Sequence, residues 1–169
     1  MPHATDGHDL AEELLKEWPS FFGFALSFIV IGIIWLNHHT MFKDIERADH
    51  TLHVLNLLVL MSVSFVPFPT AVLADHLKDD DGRLVATLLY GGSFTIIAIV
   101  FNATWLYASR GRRLLDDHVS DARIRSRTVR SLLGPLFYGL SLPLAFITPW
   151  ISVGIYTVLA LLYLVPLNE

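Results

Sequence analysis

Hydrophobic residues in this chain lie in long runs separated by short polar segments. The clearest run extends over residues 18–39, and residues 21–36 within it contain no charged side chain. Trp18 and Trp35 stand near its two ends, and aromatic rings favour the two interfaces of a membrane. Because about 20 mostly apolar residues are enough to cross a hydrocarbon core of about 30 Å, the run predicts a transmembrane helix.

Further apolar runs follow the first one, and together they predict an all-α integral membrane protein. Pro67 and Pro69 near the end of the second run predict a kink or break, because proline lacks the N–H that a helix interior needs. Pro135 and Pro143 predict an interruption of the fourth run. The transmembrane domain is predicted to be residues 18–169, with spans at about 19–37, 52–74, 84–108, 132–147 and 151–167.

Residues 1–17 have a different character from the rest of the chain. They begin as a polar tail, and Asp9 then provides a candidate N-cap with Glu12 three positions later. One interpretation is a short amphipathic helix that lies on the membrane. An ordinary helical lead-in to the first span explains the pattern equally well. The apolar side chains of this segment share one face: Leu10, Leu14, Leu15 and Trp18.

The composition supports a membrane protein and excludes several other classes. Hydrophobic residues make up 53% of the chain and charged residues 17%, with a mean hydropathy of +0.52. The absence of cysteine excludes a disulfide framework and a thiolate metal site. The amino terminus lacks the cationic start and apolar core of a signal peptide. The net charge of -4 gives no reason to expect a nucleic-acid partner.

The basic residues are distributed unequally between the loops on the two sides of the membrane. The connector at residues 37–51 contains two, and the segment at 109–131 contains seven, whereas the loops of the other side contain Lys16, Lys78 and Arg83. By the positive-inside rule, the side with nine basic residues faces the cytoplasm. We therefore expect a multi-pass protein of a cell membrane with its C-terminus in the cytoplasm.

Polar side chains within or beside the spans are the candidates for chemistry. His50 and His53 have a spacing that a metal or haem ligand pair can use, which leaves a small redox protein as one alternative. Nothing completes the ligand shell, so a solvated helix start is favoured and no metal is expected. Asn56 and Asn102 are interpreted as intramembrane polar ties, either around a functional helix or as ordinary contacts between helices.

The remaining polar features predict neither an enzyme nor a small-molecule substrate. No nucleophile is paired with a base, and there is no glycine-rich phosphate loop. The seven arginines of the segment at 109–131 have two interpretations, which are binding of anionic lipid and the setting of membrane topology. The second interpretation is the simpler one.

Two stretches, IGIIWLNHH at 31–39 and SVSFVPFPTAVLADH at 62–76, are similar to a known family. They resemble the second and third helices of the transmembrane protein 175 potassium-channel family, as found in bacteria. In that family a Trp-x-Asn-His-His helix end precedes a Ser-Phe-x-Pro-Phe-Pro-Thr helix. The resemblance extends over the chain from Trp18 onward and includes the order and length of the spans.

The resemblance implies a six-helix channel unit, of which this chain shows five transmembrane helices. Four such units, a homotetramer in the lipid bilayer, surround a pore whose first helix opens with an Arg-x-x-x-Phe-Ser-Asp signature. No such signature occurs here, so we expect the pore-lining helix to be absent. The resemblance assigns the bracing of that helix to Asn37, His38 and His39, with Trp35 beside them.

The function implied is that of a potassium-selective or weakly selective cation channel subunit. Aliphatic rings narrow the pore, and potassium crosses this hydrophobic constriction passively after partial dehydration. No cofactor is implied, and the permeant ion is the only small species involved. In this chain the visible helices would form the outer scaffold. The alternative is a non-conducting membrane scaffold or partner-binding protein.

Overall fold

Helices make up most of residues 18–165, which are the part of the chain that the computed structural model describes. The predicted polar tail and amphipathic helix of residues 1–17 lie outside the described residues. The α-helices are α1 (Trp18–Phe42), α2 (His50–Ser64), α3 (Pro67–His76), α4 (Arg83–Ser109), α5 (Asp121–Ala145) and α6 (Pro149–Leu164). A short 3-10 turn, Arg110–Arg112, follows α4.

Three helical segments of the described part are long and apolar enough to cross a membrane. They are Gly23–Phe42, His50–His76 and Arg83–Arg112, and Pro149–Leu164 is apolar but shorter. Large hydrophobic side chains such as Phe24, Phe28 and Val85 are more than 60% exposed on the surface of the bundle. A surface of this kind is stable against lipid tails rather than water, so the chain is a membrane protein.

The second predicted span is divided into two helices at the proline pair. α2 ends at Ser64 and α3 begins at Pro67, with Phe65 and Val66 between them. The turn remains hydrogen-bonded, because the Phe65 N–H donates to the Ser62 carbonyl and the Val66 N–H to the Val63 carbonyl. Pro67 is the first residue of its helix, where the missing N–H would have no helical partner in any case.

The fourth predicted span differs most from its sequence-based bounds. α5 begins at Asp121 rather than near residue 132, and Ser120 caps it by accepting a hydrogen bond from the Arg123 N–H. The helix also continues through Pro135 and Pro143, so the predicted interruption is wrong. Packing against α4 and α6 on either side gives a reason, since neighbouring helices stabilise a proline-containing helix in a membrane.

α4 is the central helix of the bundle, because it packs against α2, α3, α5 and α6. Two hydrophobic clusters lie along it. The mid-bundle cluster comprises Val30, Val66, Tyr90, Phe94, Ile97, Tyr138, Tyr156 and Leu159. The loop-end cluster comprises Met41, Leu52, Trp105, Ala108, Leu114 and Leu115. Both clusters draw on helices that are far apart in sequence, so they set the relative positions of the whole bundle.

Candidate functional site

The C-terminal end of α1 contains the four residues of the bracing cluster, and the structure divides them between two faces. Trp35 and His39 lie one turn apart with their rings stacked, 5.2 Å between centroids and 6° between planes. Both are exposed, Trp35 to 59%. This pair therefore forms an outward-facing aromatic surface near the end of α1.

Asn37 points into the bundle instead. Its Nδ2 donates to the Ile33 carbonyl at 2.8 Å and to the Tyr163 carbonyl, also at 2.8 Å. The first bond is within α1, and the second reaches the last turn of α6. Asn37 therefore links the ends of two helices through a carbonyl that the α6 terminus leaves without a helical donor.

His38 also faces the interior, where it meets Asn56 of α2. Its Nε2 lies 2.7 Å from Asn56 Oδ1, and since that oxygen only accepts, the bond requires a proton on Nε2. The imidazole stacks on Phe42 at 4.4 Å and meets the edge of Phe101 at 6.3 Å between centroids. His38 and Asn56 thereby connect α1 to α2.

Asn102 makes a corresponding connection between α4 and α5. Its Nδ2 donates to Ser131 Oγ at 2.8 Å, and Ser131 in turn donates to the Thr128 carbonyl at 2.9 Å. One turn further along α4, the buried Trp105 donates from Nε1 to Thr128 Oγ1 at 2.9 Å. Asn56 and Asn102, the predicted intramembrane polar ties, thus both form hydrogen bonds between helices.

A buried ion-pair network that the sequence did not predict lies beside these residues. The Asp44 side chain is only 5% exposed. Its carboxylate oxygens contact Arg123 Nε and Arg127 Nε, each at 3.0 Å. Arg127 also lies over the Trp105 ring, 5.4 Å from its centroid. The spacing of four between the two arginines places them on one helix face, but the sequence does not indicate which acid meets them.

Backbone pairing between two loops holds Asp44 in position. Ile45 and Leu115 form an isolated antiparallel bridge. The Glu46 N–H donates to the Leu114 carbonyl at 3.0 Å, and the Asp116 N–H donates to the Asp44 carbonyl at 3.0 Å. We call residues 43–49 and 110–120, together with the first turns of α5, the arginine end. The connector and the arginine-rich segment, which the sequence placed on one side of the membrane, thus lie together.

Asp49 completes the arginine end by capping α2. Its Oδ1 accepts from the Leu52 N–H at 2.8 Å, and its Oδ2 accepts from the Tyr107 hydroxyl at 2.6 Å. The hydrogen bond from Tyr107 is the main cause that holds the pKa of Asp49 below its ordinary value, and the Leu52 N–H and Arg113 act in the same direction. Nearby His50 and His53 are exposed.

The hydrogen bonds and ion pairs described above hold helices together and do not form a reactive site. Between residues 18 and 165 no three His, Cys, Asp or Glu side chains are grouped closely enough to bind a metal ion. The polar groups of α1, α2, α4 and α5 bond to one another, which fixes the positions of the helices. These interhelical polar contacts are therefore candidates for holding a functional helix in position.

Comparison with known proteins identifies what the chain resembles. A family model described as "Endosomal/lysosomal potassium channel TMEM175" matches residues 1–67. The chain is 39% identical over 163 residues to a potassium channel of Streptomyces collinus, with 96% of this chain and 79% of that protein covered. It is 41% identical over 154 residues to a potassium channel of Chamaesiphon minutus, with 91% and 75% covered.

A solved structure resembles the fold as well as the sequence. It is the crystal structure of a lysosomal potassium-selective channel TMEM175 homolog from Chamaesiphon minutus. The TM-score is 0.73 at 40% sequence identity, and the match covers 91% of this chain and 77% of that chain. The similarity therefore extends over most of the helical arrangement.

Proposed function

This chain belongs to the family of the potassium channel TMEM175, and from that premise we propose that it is a potassium-channel subunit whose described helices form the outer scaffold of the ion pathway. The family consists of ion channels, so the chain is a membrane channel subunit and not an enzyme. The observation that supports the proposal most strongly is the joint likeness in sequence and helix arrangement to a solved potassium-selective channel.

The scaffold role is supported by where the polar side chains of the spans point. Asn37 bonds to the end of α6, His38 to Asn56, and Asn102 to Ser131. Each bond joins two helices of the same subunit, so these side chains contribute to contacts within the bundle. We propose that potassium crosses a hydrophobic constriction, as the family resemblance implies, while these bonds keep the surrounding helices in place.

The two faces of α1 have separate parts in this proposal. The inward pair, Asn37 and His38, fixes α1 against α6 and α2. The outward pair, Trp35 and His39, presents stacked rings on the surface of the subunit. We propose that the outward pair braces the pore-lining helix of the channel, and that the inward pair positions this surface.

The membrane arrangement follows from the same reasoning. We propose five transmembrane spans, with α2 and α3 together forming the second and the apolar half of α5 forming the fourth. The arginine end then faces the cytoplasm of a bacterial inner membrane, as does the C-terminus, because it contains most of the basic loop residues. Four copies surround the pore, and native mass spectrometry of the purified protein should show a tetramer.

Ion flux from liposomes tests the function. Residues 1–169 contain no pore-helix signature, so we expect this chain by itself to pass neither ion. The same chain with a family first helix that bears the Arg-x-x-x-Phe-Ser-Asp signature fused ahead of residue 1 should pass potassium faster than sodium, measured with ion-sensitive dyes at matched protein content. A folded fusion that passes neither ion would favour the alternative, a non-conducting membrane scaffold. The flux assay also tests the bracing surface. In the fusion, H39A should reduce potassium flux several-fold, whereas H53A, which removes another exposed histidine, should leave it unchanged. Equal flux in the two variants would contradict the bracing role.

A further inference from the structure

A partly open cavity of about 110 Å³ lies between α1, α4, α5 and α6. Most of its wall is apolar and includes Val30, Phe94, Ile97 and Tyr138. An engineered apolar cavity of about 150 Å³ is large enough to bind benzene, so this space accommodates several carbon atoms of a ligand. Along α4 the lining extends from Tyr90 to Trp105, which corresponds to roughly 22 Å at the rise of an α-helix.

One end of the cavity is polar and positively charged. Arg127, Arg130, Asn37 and Ser131 line it, and the Arg127 side chain is 92% buried. Arg127 Nη2 and Arg130 Nε are both buried without a hydrogen-bond partner within residues 18–165. A buried charged donor without a partner is costly, so these two atoms favour an acceptor from outside the chain.

The local charges show which kind of acceptor fits. Three arginines, Arg123, Arg127 and Arg130, lie at this end of the bundle, and the buried Asp44 carboxylate pairs with the first two of them. Arg130 directs Nη2 to the carbonyls of Leu162 and Val165, which carry no formal charge. The cluster is therefore net positive and complements an anion.

We propose that the cavity binds an anionic lipid, with part of one acyl chain between the helices and the acidic group on Arg127 and Arg130. The polar end belongs to the arginine end of the bundle, where lipid head groups lie, and the apolar part extends toward the mid-bundle cluster. The site is therefore charged at one end and apolar at the other, as a single leaflet of a bilayer is. This proposal is independent of the ion conduction proposed above, because it concerns the interior of a single subunit.

Trp105 provides a direct probe, because it lines the cavity and has no exposed surface. A variant with Trp105 as its only tryptophan (W18F, W35F, W150F) is reconstituted with lipids that bear bromine on the acyl chain, which quenches indole fluorescence at short range. The probes are brominated phosphatidylglycerol, brominated stearate and brominated phosphatidylcholine. A second variant that retains only Trp35, which is 59% exposed, serves as the reference for bulk lipid.

We expect the acidic probes to quench Trp105 and phosphatidylcholine to leave it bright, while all three quench Trp35. Quenching by stearate as well as phosphatidylglycerol assigns the site to any acidic chain, and quenching by phosphatidylglycerol alone assigns it to phospholipid. R130Q should lower the preference for acidic lipid by about five-fold, the effect of about 1 kcal/mol per basic residue near a membrane surface. R125Q, an exposed arginine of the same helix, should not lower it.

A cavity-filling pair provides a test that leaves the charges intact. A160L adds side-chain volume in the lining and should abolish quenching of Trp105, whereas V158L enlarges an exposed side chain of α6 and should preserve it. Equal quenching of Trp105 by acidic and zwitterionic lipid would overturn the proposal. The absence of quenching by all three probes would do the same.

Discussion

At the arginine end, charged side chains and backbone bonds join loops that are distant in sequence. In the proline half, defined here as residues 65–83 and 135–149, the chain is shaped by Pro67, Pro69, Pro135, Pro143 and Pro149. The ion pair of that half, between Arg83 and Asp80, has an acid whose side chain is 91% exposed. The arginine end instead buries the Asp44 carboxylate almost completely.

This difference determines how each region responds to substitution. A buried ion pair stabilises little beyond what an apolar replacement would, but removal of one partner leaves an uncompensated charge. Proline acts through the backbone and restricts the unfolded chain as much as it shapes the folded one. Single substitutions should therefore lower the stability of the protein strongly when they fall in the arginine end, and less when they fall in the proline half.

The largest expected effect is that of D44N. It removes the carboxylate that contacts both Arg123 and Arg127, and breaking a buried pair in this way costs about 3–5 kcal/mol. The midpoint of thermal unfolding in detergent should therefore be much lower than that of the wild type. Size-exclusion chromatography of the protein that remains folded after heating measures this midpoint.

The matched control for this substitution is D121N. Asp121 also pairs with an arginine, Arg112, at 2.9 Å, but its side chain is 94% exposed. Exposed pairs of this kind contribute about 0–1 kcal/mol, so the midpoint should move little. If the two variants unfold at the same temperature, the buried network is not what stabilises the arginine end.

A smaller effect is expected from P67A in the proline half. Pro67 is the first residue of α3 and is exposed, so alanine can adopt the same backbone there without losing a helical bond. The loss should be at most about 1 kcal/mol and should come from the freer unfolded chain. The same thermal assay measures it, with P69A as comparison because the Pro69 ring is fully buried. A cost for P67A as large as that of D44N would remove the contrast between the two regions.

The apolar spans and the break at Pro67 could be predicted from the sequence because each depends on local composition. The pairing of Asp44 with Arg123 could not, since these residues are 79 positions apart. Nothing local distinguishes Asp44 from Glu46, which is exposed. The passage of α5 through Pro143 likewise depends on neighbouring helices, and the same proline chemistry permits a break.

The candidate site shows the same limit. The family resemblance grouped Asn37, His38, His39 and Trp35 as one bracing cluster, but helical geometry separates them into an inward and an outward pair. The cavity beside them depends on how side chains from α1, α4, α5 and α6 fill space together. No segment of the sequence taken alone encodes that volume.

The smallest expected effect is that of Y107F, at the N-cap of α2. Y107F removes the hydroxyl that donates to Asp49, the main cause of its lowered pKa, so the pKa should rise toward the ordinary value of 3.8. A lowered folded-state pKa stabilises the protein above the unfolded value, and this contribution is lost as the pH falls through the folded one. The wild type should therefore exceed Y107F in stability at neutral pH, and the difference should disappear below the ordinary carboxyl range.

A carboxyl chemical-shift titration of Asp49 by NMR measures the pKa directly, with Y138F in the mid-bundle cluster as control. An unchanged Asp49 pKa in Y107F would show that the Leu52 N–H and Arg113 are sufficient to hold the carboxylate ionised.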